Sequence, residues 1–297
     1  MRVPNINVQD NMMTQLSNLR QRQVKLQEQI STGQRLSSIS DDPAATERVM
    51  RNETEKRELT QYRRNQERVQ QTSQASFAQV ERMQEIAARG QEITLLSSSV
   101  VADDYFVPYA AEMNQLLEEM VERANYTYMG QHVFAGTATD TPPFDVTRDG
   151  SGAITAVTYV GNTDTAAVNI SDNSTLSGFM DPTRNADIET LFANLIAVRD
   201  GLVAEDAAAV TAVADDLFVD ENNLVEGLGE MAGIQARIEN TMRFDEFAFL
   251  RADQRIGDDV DADLAAVAIE YSQAETAYQA ALATSADLLQ RSLFDFI

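Results

Sequence analysis

Residues 12–30, MMTQLSNLRQRQVKLQEQI, decide the fold of this 297-residue chain. Apolar or seam-compatible side chains recur there at alternating intervals of four and three residues, which is the spacing of a coiled-coil seam. The seam positions are Met12, Leu16, Leu19, Gln23, Leu26 and Ile30. The pattern predicts a long N-terminal helix that packs through one narrow stripe.

The C-terminal part of the chain carries a matching stripe in residues 264–288, LAAVAIEYSQAETAYQAALATSADL. Its seam positions are Leu264, Val267, Tyr271, Ala274, Tyr278, Ala281, Ser285 and Leu288. Stripes at both ends of the chain predict that the terminal helices pair antiparallel, as a coiled coil. Residues 1–40 and 260–297 would then form one region.

The predicted seam is poor in large apolar side chains, since it includes Gln23, Ala274, Ala281 and Ser285. The burial of so little apolar area scarcely offsets the entropy lost on ordering. We therefore expect the terminal region to be disordered in the monomer and to fold when copies assemble. A helix pair that only stabilises one protomer is the alternative. The predicted assembly residues are Met12, Leu16, Leu19, Leu26, Ile30, Leu264, Val267, Tyr271, Tyr278, Leu282, Leu288, Leu293 and Phe296.

Between the two ends the chain is predicted to be mainly α-helical with a small β-rich insert. Asp42 and Pro43 suit an N-cap and a first helical position, and a helix is expected from 43 to 97. Another is expected over 104–128, and loops near residues 200–201 and 257–258. The predicted architecture is an elongated helical-bundle rod made of residues 41–135 and 185–259.

The insert is predicted at residues 136–184, where glycine, proline, threonine and asparagine become frequent. Residues 153–160 and 166–170 alternate small, β-branched and aromatic side chains as strands do, and Asp149-Gly150 is a turn signal. We expect this insert to lie at the far tip of the rod.

The composition excludes several classes of function. A net charge of −24, from 47 acidic and 23 basic residues, disfavours nucleic acid and anionic membranes as partners. The chain has no cysteine and one histidine, His132, which excludes thiolate chemistry and multi-histidine metal sites. No apolar run is long enough for a membrane span, and we expect no cleaved signal peptide.

Weak chemical patterns have simpler structural explanations. Asp259, Asp261, Asp263 and Glu270 resemble calcium-loop spacing, but the turn glycine is missing, and we expect a helix cap there. The glycines at 227, 229 and 233 lack the strand that precedes a dinucleotide loop. His132 and the acidic pairs at 103–104 and 215–216 have no recognisable catalytic partners. We therefore predict no catalytic residue, metal or cofactor, and no enzyme.

Short motifs at both ends and before the insert resemble the bacterial flagellin family. They are STGQRL at 31–36, SDDPAA at 40–45, GQHVFAG at 130–136, TDTPPF at 139–144, YVGN at 159–162, SQAETAYQAAL at 272–282 and SLFDFI at 292–297. The form Asp-Asp-Pro at 41–43 is more similar to the members that form the hook–filament junction than to filament flagellins. His132 departs from the aromatic residue that is common at its position.

The resemblance implies a structural protein that self-assembles as a ring at the hook–filament junction. Implied partners are further copies of the chain, filament flagellin, a neighbouring hook-associated junction protein and a cytoplasmic export chaperone. It also implies an extracellular location reached by flagellar type III export without a cleaved signal peptide. The alternatives are a filament flagellin and, from a different class, a coiled-coil adaptor unrelated to flagella.

Overall fold

The computed structural model describes the backbone of residues 6–97 and 105–294, and the side chains of residues 10–97 and 105–287. Contacts divide the chain into two compact units. Unit 1 is built from the chain up to Glu58 and from Phe247 onward, and unit 2 is Leu59–Glu246. The division expected from the sequence, into a terminal region, a rod and an insert with boundaries near residues 40, 135, 185 and 260, stays a prediction.

The described elements are mainly helices, as the sequence indicates. In chain order they are α1 (Ile6–Thr32), α2 (Pro43–Ser97), α3 (Phe106–Ala124), β1 (Thr127–Tyr128), β2 (Gln131–His132), β3 (Phe144–Arg148), β4 (Ile154–Tyr159), β5 (Val168–Ser171), β6 (Ser174–Leu176), a 3-10 turn (Pro182–Arg184), α4 (Asn185–Val203), α5 (Ala207–Ala212), α6 (Ala214–Val260) and α7 (Leu264–Phe294). The predicted fold class, mainly α with a small β-rich insert, is confirmed.

Helix α2 has the predicted bounds, from Pro43 to Ser97. The Asp42 side chain accepts a hydrogen bond from the amide of Ala45 at 3.0 Å, and this bond is the main cause of the lowered pKa of Asp42. The cap satisfies an amide that the first helical turn leaves without an intrahelical partner. The predicted N-terminal signal of this helix is therefore confirmed.

Helix α3 is shorter than predicted. It ends at Ala124 because the next side chain, Asn125, donates to the backbone oxygen of Phe144 at 2.9 Å and accepts from its amide at 3.0 Å. Residues 127–128 consequently belong to a strand, and the expected helix over them was wrong. The expected start near Asp104 lies outside the described residues.

The loops predicted near residues 200 and 257 were also wrong. Helix α4 continues through Gly201, where an added Cβ would lie 2.9 Å from the Val210 side chain, so the glycine permits close packing of α5. Helix α4 ends at Val203, and the loop follows it. Asp206 then caps α5 by accepting from the amides of Ala208 and Ala209. Helix α6 likewise continues to Val260.

The core of unit 2 is formed by α2, α3, α4 and α6 together with the small sheets. Helix α3 turns its apolar face to this core, since Met113, Leu117 and Met120 are fully buried and Leu116 and Val121 are partly buried. Such a continuous apolar interior is the main source of stability in a domain of this size.

The strands of unit 2 form three separate antiparallel hairpins, β1–β2, β3–β4 and β5–β6. The strands predicted within 153–160 and 166–170 are present as β4 and β5. Asp149 forms the predicted turn, because its carboxylate accepts from the amides of Ser151 and Ala153 at 2.9 Å. The location of the insert at a far tip stays a prediction.

Candidate assembly surface

Helices α1 and α7 pack along each other within unit 1. The Arg22 guanidinium lies 3.2 Å from the Glu270 carboxylate, and the backbone oxygen of Gly33 accepts from the amide of Ala262 at 2.9 Å. Because later residues of α7 contact earlier residues of α1, the two helices run antiparallel. Their supercoiling as a coiled coil stays a prediction.

The burial of side chains in this pair follows the predicted spacing. Leu26 and Ala274 are 6% and 5% exposed, and most of the other described seam positions are half-buried. The half-buried seam residues are Met12, Leu16, Leu19, Gln23, Val267, Tyr271, Tyr278, Ala281 and Ser285. The structure thus brings most of the predicted assembly residues together between two helices of one chain. Their contacts with a second copy stay a prediction.

Two predicted seam positions are exposed instead. Ile30 is 40% exposed because Gln29 takes the inner position there, where its amide donates to the backbone oxygen of Arg35 at 3.1 Å. Leu264 is 51% exposed, in the turn that directly follows the Asp263 cap. Leu282, which was outside the predicted seam, is exposed as well. The side chains of Leu288 and Leu293 and all of Phe296 lie outside the described residues.

The motif that follows α1 fixes the chain against the turn between α6 and α7. Gly33 ends α1 with a φ of 71°, a left-handed conformation that favours glycine. The Arg35 amide donates to the backbone oxygen of Val260 at 2.7 Å, and the Arg35 guanidinium donates to the backbone oxygen of Asp259 at 2.7 Å. This docking explains why a glycine and an arginine lie within the STGQRL motif.

Ion pairs reinforce the same joint. Arg48 binds the Asp259 carboxylate through two nitrogens and lowers its pKa. Lys25 binds Asp41 at 2.5 Å and, together with the amides of Ser38 and Ser37, holds the pKa of Asp41 far below its usual range. Asp41 and Asp259 are therefore ionised at neutral pH, and each forms a pair of opposite charges in this region.

The acidic residues with calcium-like spacing have structural partners. Asp259 binds Arg48, and Asp263 caps α7 by accepting from the amides of Ala265 and Ala266. The predicted helix cap is confirmed. Within the described ranges no group of three or more histidine, aspartate or glutamate side chains is placed to hold a metal ion.

The remaining chemical candidates also take structural places. The Nδ1 of His132 lies 2.9 Å from the backbone oxygen of Asn125, at the end of α3. An added Cβ at Gly227 would lie 3.3 Å from the sulfur of Met180, whereas one at Gly229 or Gly233 would meet open space, so a helix-packing role holds for Gly227 and was wrong for the other two. Asp215 and Asp216 lie in the first turn of α6, where carboxylates are favourable. Asp103 and Asp104 lie outside the described residues.

Several apolar side chains of α1 and α7 face away from the seam, and heptad spacing did not predict them all. Met13, Val24 and Ile269 are 71%, 57% and 61% exposed, and they join Ile30, Leu264 and Leu282. Heptad spacing identifies inner positions only. The sequence signal for Met13, Val24 and Ile269 was therefore their apolar character at positions outside the heptad stripe. We call these six side chains the outer apolar set. Apolar side chains that stay exposed along a pair of helices are candidates for an interaction surface.

Comparison with known proteins agrees with the resemblance found in the motifs. Residues 3–139 match the family model described as the bacterial flagellin N-terminal helical region. Flagellar hook-associated protein 3 of Escherichia coli strain K12 is 25% identical to this chain. The alignment has 301 positions, gaps included, and covers 95% of each chain. In the part of this chain that the structure describes, no helix is long and apolar enough to cross a membrane.

Solved structures share the fold. A protein described as a flagellar hook-associated protein from Vibrio parahaemolyticus has a TM-score of 0.65 at 20% identity, covering 74% of this chain and 100% of that one. FlgL of Bacillus cereus has a TM-score of 0.60 at 13% identity, covering 71% and 100%. The N-terminal part of the chain therefore matches the helical region of bacterial flagellins, and the chain is similar to flagellar hook-associated protein 3 over nearly its whole length.

Proposed function

We propose that this protein is a structural, non-catalytic subunit of the bacterial flagellum that forms the junction between hook and filament. The similarity to flagellar hook-associated protein 3 over 95% of both chains carries the proposal. The Asp-Asp-Pro form of the N-terminal motif supports the junction over a filament flagellin, and Asp42 and Pro43 begin α2 as that motif requires.

The terminal helices are the proposed assembly region, ordered in the ring and disordered in the dilute monomer. Of the described seam residues in α1 and α7, only Leu26 and Ala274 are more than nine-tenths buried. Six apolar side chains face outward from the same pair. Packing of further copies against the outer apolar set would bury this surface, and it would supply the apolar area that one pair lacks.

The proposed partners follow from this place in the flagellum. They are further copies of the chain, filament flagellin on one side and a neighbouring hook-associated junction protein on the other. We propose export by the flagellar type III route without a cleaved signal peptide, with a cytoplasmic chaperone bound beforehand, and an extracellular location. The net charge of −24 would keep unassembled copies apart in solution.

Immunogold labelling of intact cells tests the proposal. A single short band beneath each filament is expected, because a junction protein occupies one level of the structure. Label along the whole filament would instead support the filament flagellin. Label that stays inside cells, and does not depend on an intact flagellar exporter, would support the unrelated coiled-coil adaptor.

A further inference from the structure

A cleft of about 240 Å³ lies in unit 2, between α2 and the segments that carry the small sheets. Its lining combines one cation, several polar side chains and an apolar floor, and it includes no carboxylate. The lining residues are Arg68, Val69, Thr72, Gln131, Thr137, Thr139, Ala166, Val168, Gly178 and Phe179. Arg68, the cation of this lining, therefore has no carboxylate beside it within the cleft, although it follows Glu67 along α2.

The floor of the cleft is fixed by close packing against α2. An added Cβ at Gly178 would lie 2.6 Å from the backbone oxygen of Val69 and 2.9 Å from the Thr72 side chain, so no larger residue fits there. Val69 is 3% exposed, and Phe179 and Val168 are partly buried. The floor is therefore a preformed apolar surface that the stem of an incoming side chain can contact.

The polar side chains of the cleft present unused hydrogen-bond donors. Among the described residues, the Arg68 guanidinium, the Gln131 amide and the Thr139 hydroxyl make no hydrogen bond or ion pair. The Thr137 hydroxyl accepts from Asn162 at 2.6 Å, which leaves its own proton available. An arginine fork with further donors beside it is complementary to a carboxylate, which accepts two parallel hydrogen bonds.

A second cation lies one helical turn away. Arg64 is exposed on α2, four residues before Arg68, and it too lacks an ion pair within the described structure. Neighbouring Arg63 differs, because it lies 3.7 Å from Glu67. Like charges at this spacing repel each other, so the pair is favourable only when an anion approaches both.

We propose that the Arg68 cleft binds an aspartate or glutamate side chain of a second copy of this chain. The proposal rests on the proposed function, in which copies assemble side by side. Copies that each carry −24 charges repel one another, so an ordered assembly requires local pairs of opposite charge. Arg68 is exposed, without an internal partner and backed by an apolar floor, which suits it to accept such a carboxylate.

Zero-length cross-linking tests this contact directly. The variant Arg68→Lys places an amine in the cleft, and a carbodiimide joins an amine to a carboxylate only when the two are in contact. The background is low, because Lys25 and Lys56 are the only lysines of the chain. The variant Arg243→Lys is the matched control, since Arg243 is exposed on α6 in the same unit and already bonds Asn240.

In isolated flagella we expect an isopeptide between position 68 and an Asp or Glu of a second copy. It should be absent from dilute purified protein, in which only contacts within one chain form. Arg68→Glu should reduce the amount of protein retained in flagella about tenfold, the size expected when a charge-assisted hydrogen bond is lost. The circular dichroism of this variant should match that of the unsubstituted protein, as should that of Arg243→Glu, which should also assemble normally.

The outcomes separate this inference from the proposed function. A normal junction band without any cross-link at position 68 would overturn the cleft proposal and leave the junction role intact. A cross-link to a different flagellar protein would also overturn it, because the partner would not be a second copy. If label covered the whole filament, the junction role would fall, and a cross-link between copies would still support the cleft.

Discussion

The two units of this protein are stabilised in different ways. In unit 2 large side chains such as Leu117, Phe192 and Leu195 are fully buried in one continuous core. In unit 1 the α1–α7 pair has a half-buried seam, and its joint to α2 and α6 uses Lys25–Asp41 and Arg48–Asp259. Unit 2 thus excludes water from a large apolar interior and unit 1 from a narrow seam, while both units expose large apolar side chains, such as Phe244 in unit 2 and Met13 in unit 1.

The largest expected effect comes from the core of unit 2. Leu117→Ala should lower the free energy of unfolding by about 2–5 kcal/mol, because it leaves a cavity among fully buried neighbours. Leu26→Ala in the seam of unit 1 should cost about 1 kcal/mol or less, since the surrounding pair is open to water. Urea unfolding followed by circular dichroism measures both. Equal losses would mean that the terminal pair is an ordinary core.

The sequence predicted the periodic parts of both units well, because helical spacing and burial reflect the same geometry. The 43–97 helix and the α1–α7 stripes were found in this way. Features set by contacts distant in sequence were missed. Asn125 ends α3 by bonding Phe144, and Gly201 stays within a helix because it packs on Val210.

The candidate site was predicted only in part, for the same reason. Heptad spacing identifies the seam of a helix pair, but it carries no information on the side chains that face away from it. The heptad spacing does not predict that Met13, Val24 and Ile269 are exposed, and the structure shows it. The Arg68 cleft could not be predicted from the sequence, because its lining combines residues that are distant along the chain, from α2, the 131–139 segment, β5 and Gly178.

A second expected effect tests backbone fit in unit 2. Gly136 has a φ of 65°, and an added Cβ would lie 2.3 Å from the Asn162 side chain and 2.4 Å from its backbone oxygen. Gly136→Ala should destabilise unit 2 by about 1–3 kcal/mol. Gly229→Ala is the control, because an added Cβ there meets open space within α6 and should stabilise the helix by about 0.8–1 kcal/mol. Thermal unfolding compares them, and a loss in both variants would refute the steric explanation.

Acidity should act with opposite sign on the buried Asp220 of unit 2 and on the ion-paired Asp41 and Asp259 of unit 1. Asp220 in unit 2 is 4% exposed, and burial raises its pKa although Asn194 donates to it at 2.7 Å. A native pKa above the unfolded value of 3.8 means that the folded state binds the proton more tightly. This group therefore lowers stability as pH rises through the native pKa, and the penalty disappears as pH falls toward 3.8.

The carboxylates of unit 1 behave in the reverse way. The pKa values of Asp41 and Asp259 are lowered, so their contribution is present at neutral pH and is lost as pH falls below 3.8. Asp220→Asn should therefore raise the unfolding midpoint at pH 7 and reduce the pH dependence of unit 2. An unchanged midpoint for Asp220→Asn would show that this carboxylate is better solvated than its burial indicates.

The smallest effect on stability is expected for substitutions in the outer apolar set. Such substitutions are informative because they can change assembly without changing stability. Ile269→Ser removes a side chain that is 61% exposed, so the free energy of unfolding of the purified protein should change by no more than about 0.5 kcal/mol. Assembly into the flagellum should nevertheless decrease, because the substitution removes apolar surface that a neighbouring copy would bury. The control is Val203→Ser, at a side chain that is 68% exposed but lies in unit 2.

Quantifying the protein retained in isolated flagella separates stability from assembly. If Ile269→Ser assembles as well as Val203→Ser, the outward apolar side chains are incidental, and the seam residues become the stronger candidates for contacts between copies. If it unfolds the purified protein, Ile269 contributes to the fold of unit 1 itself. Only a loss of assembly at unchanged stability would show that Ile269 belongs to a surface that packs against a partner.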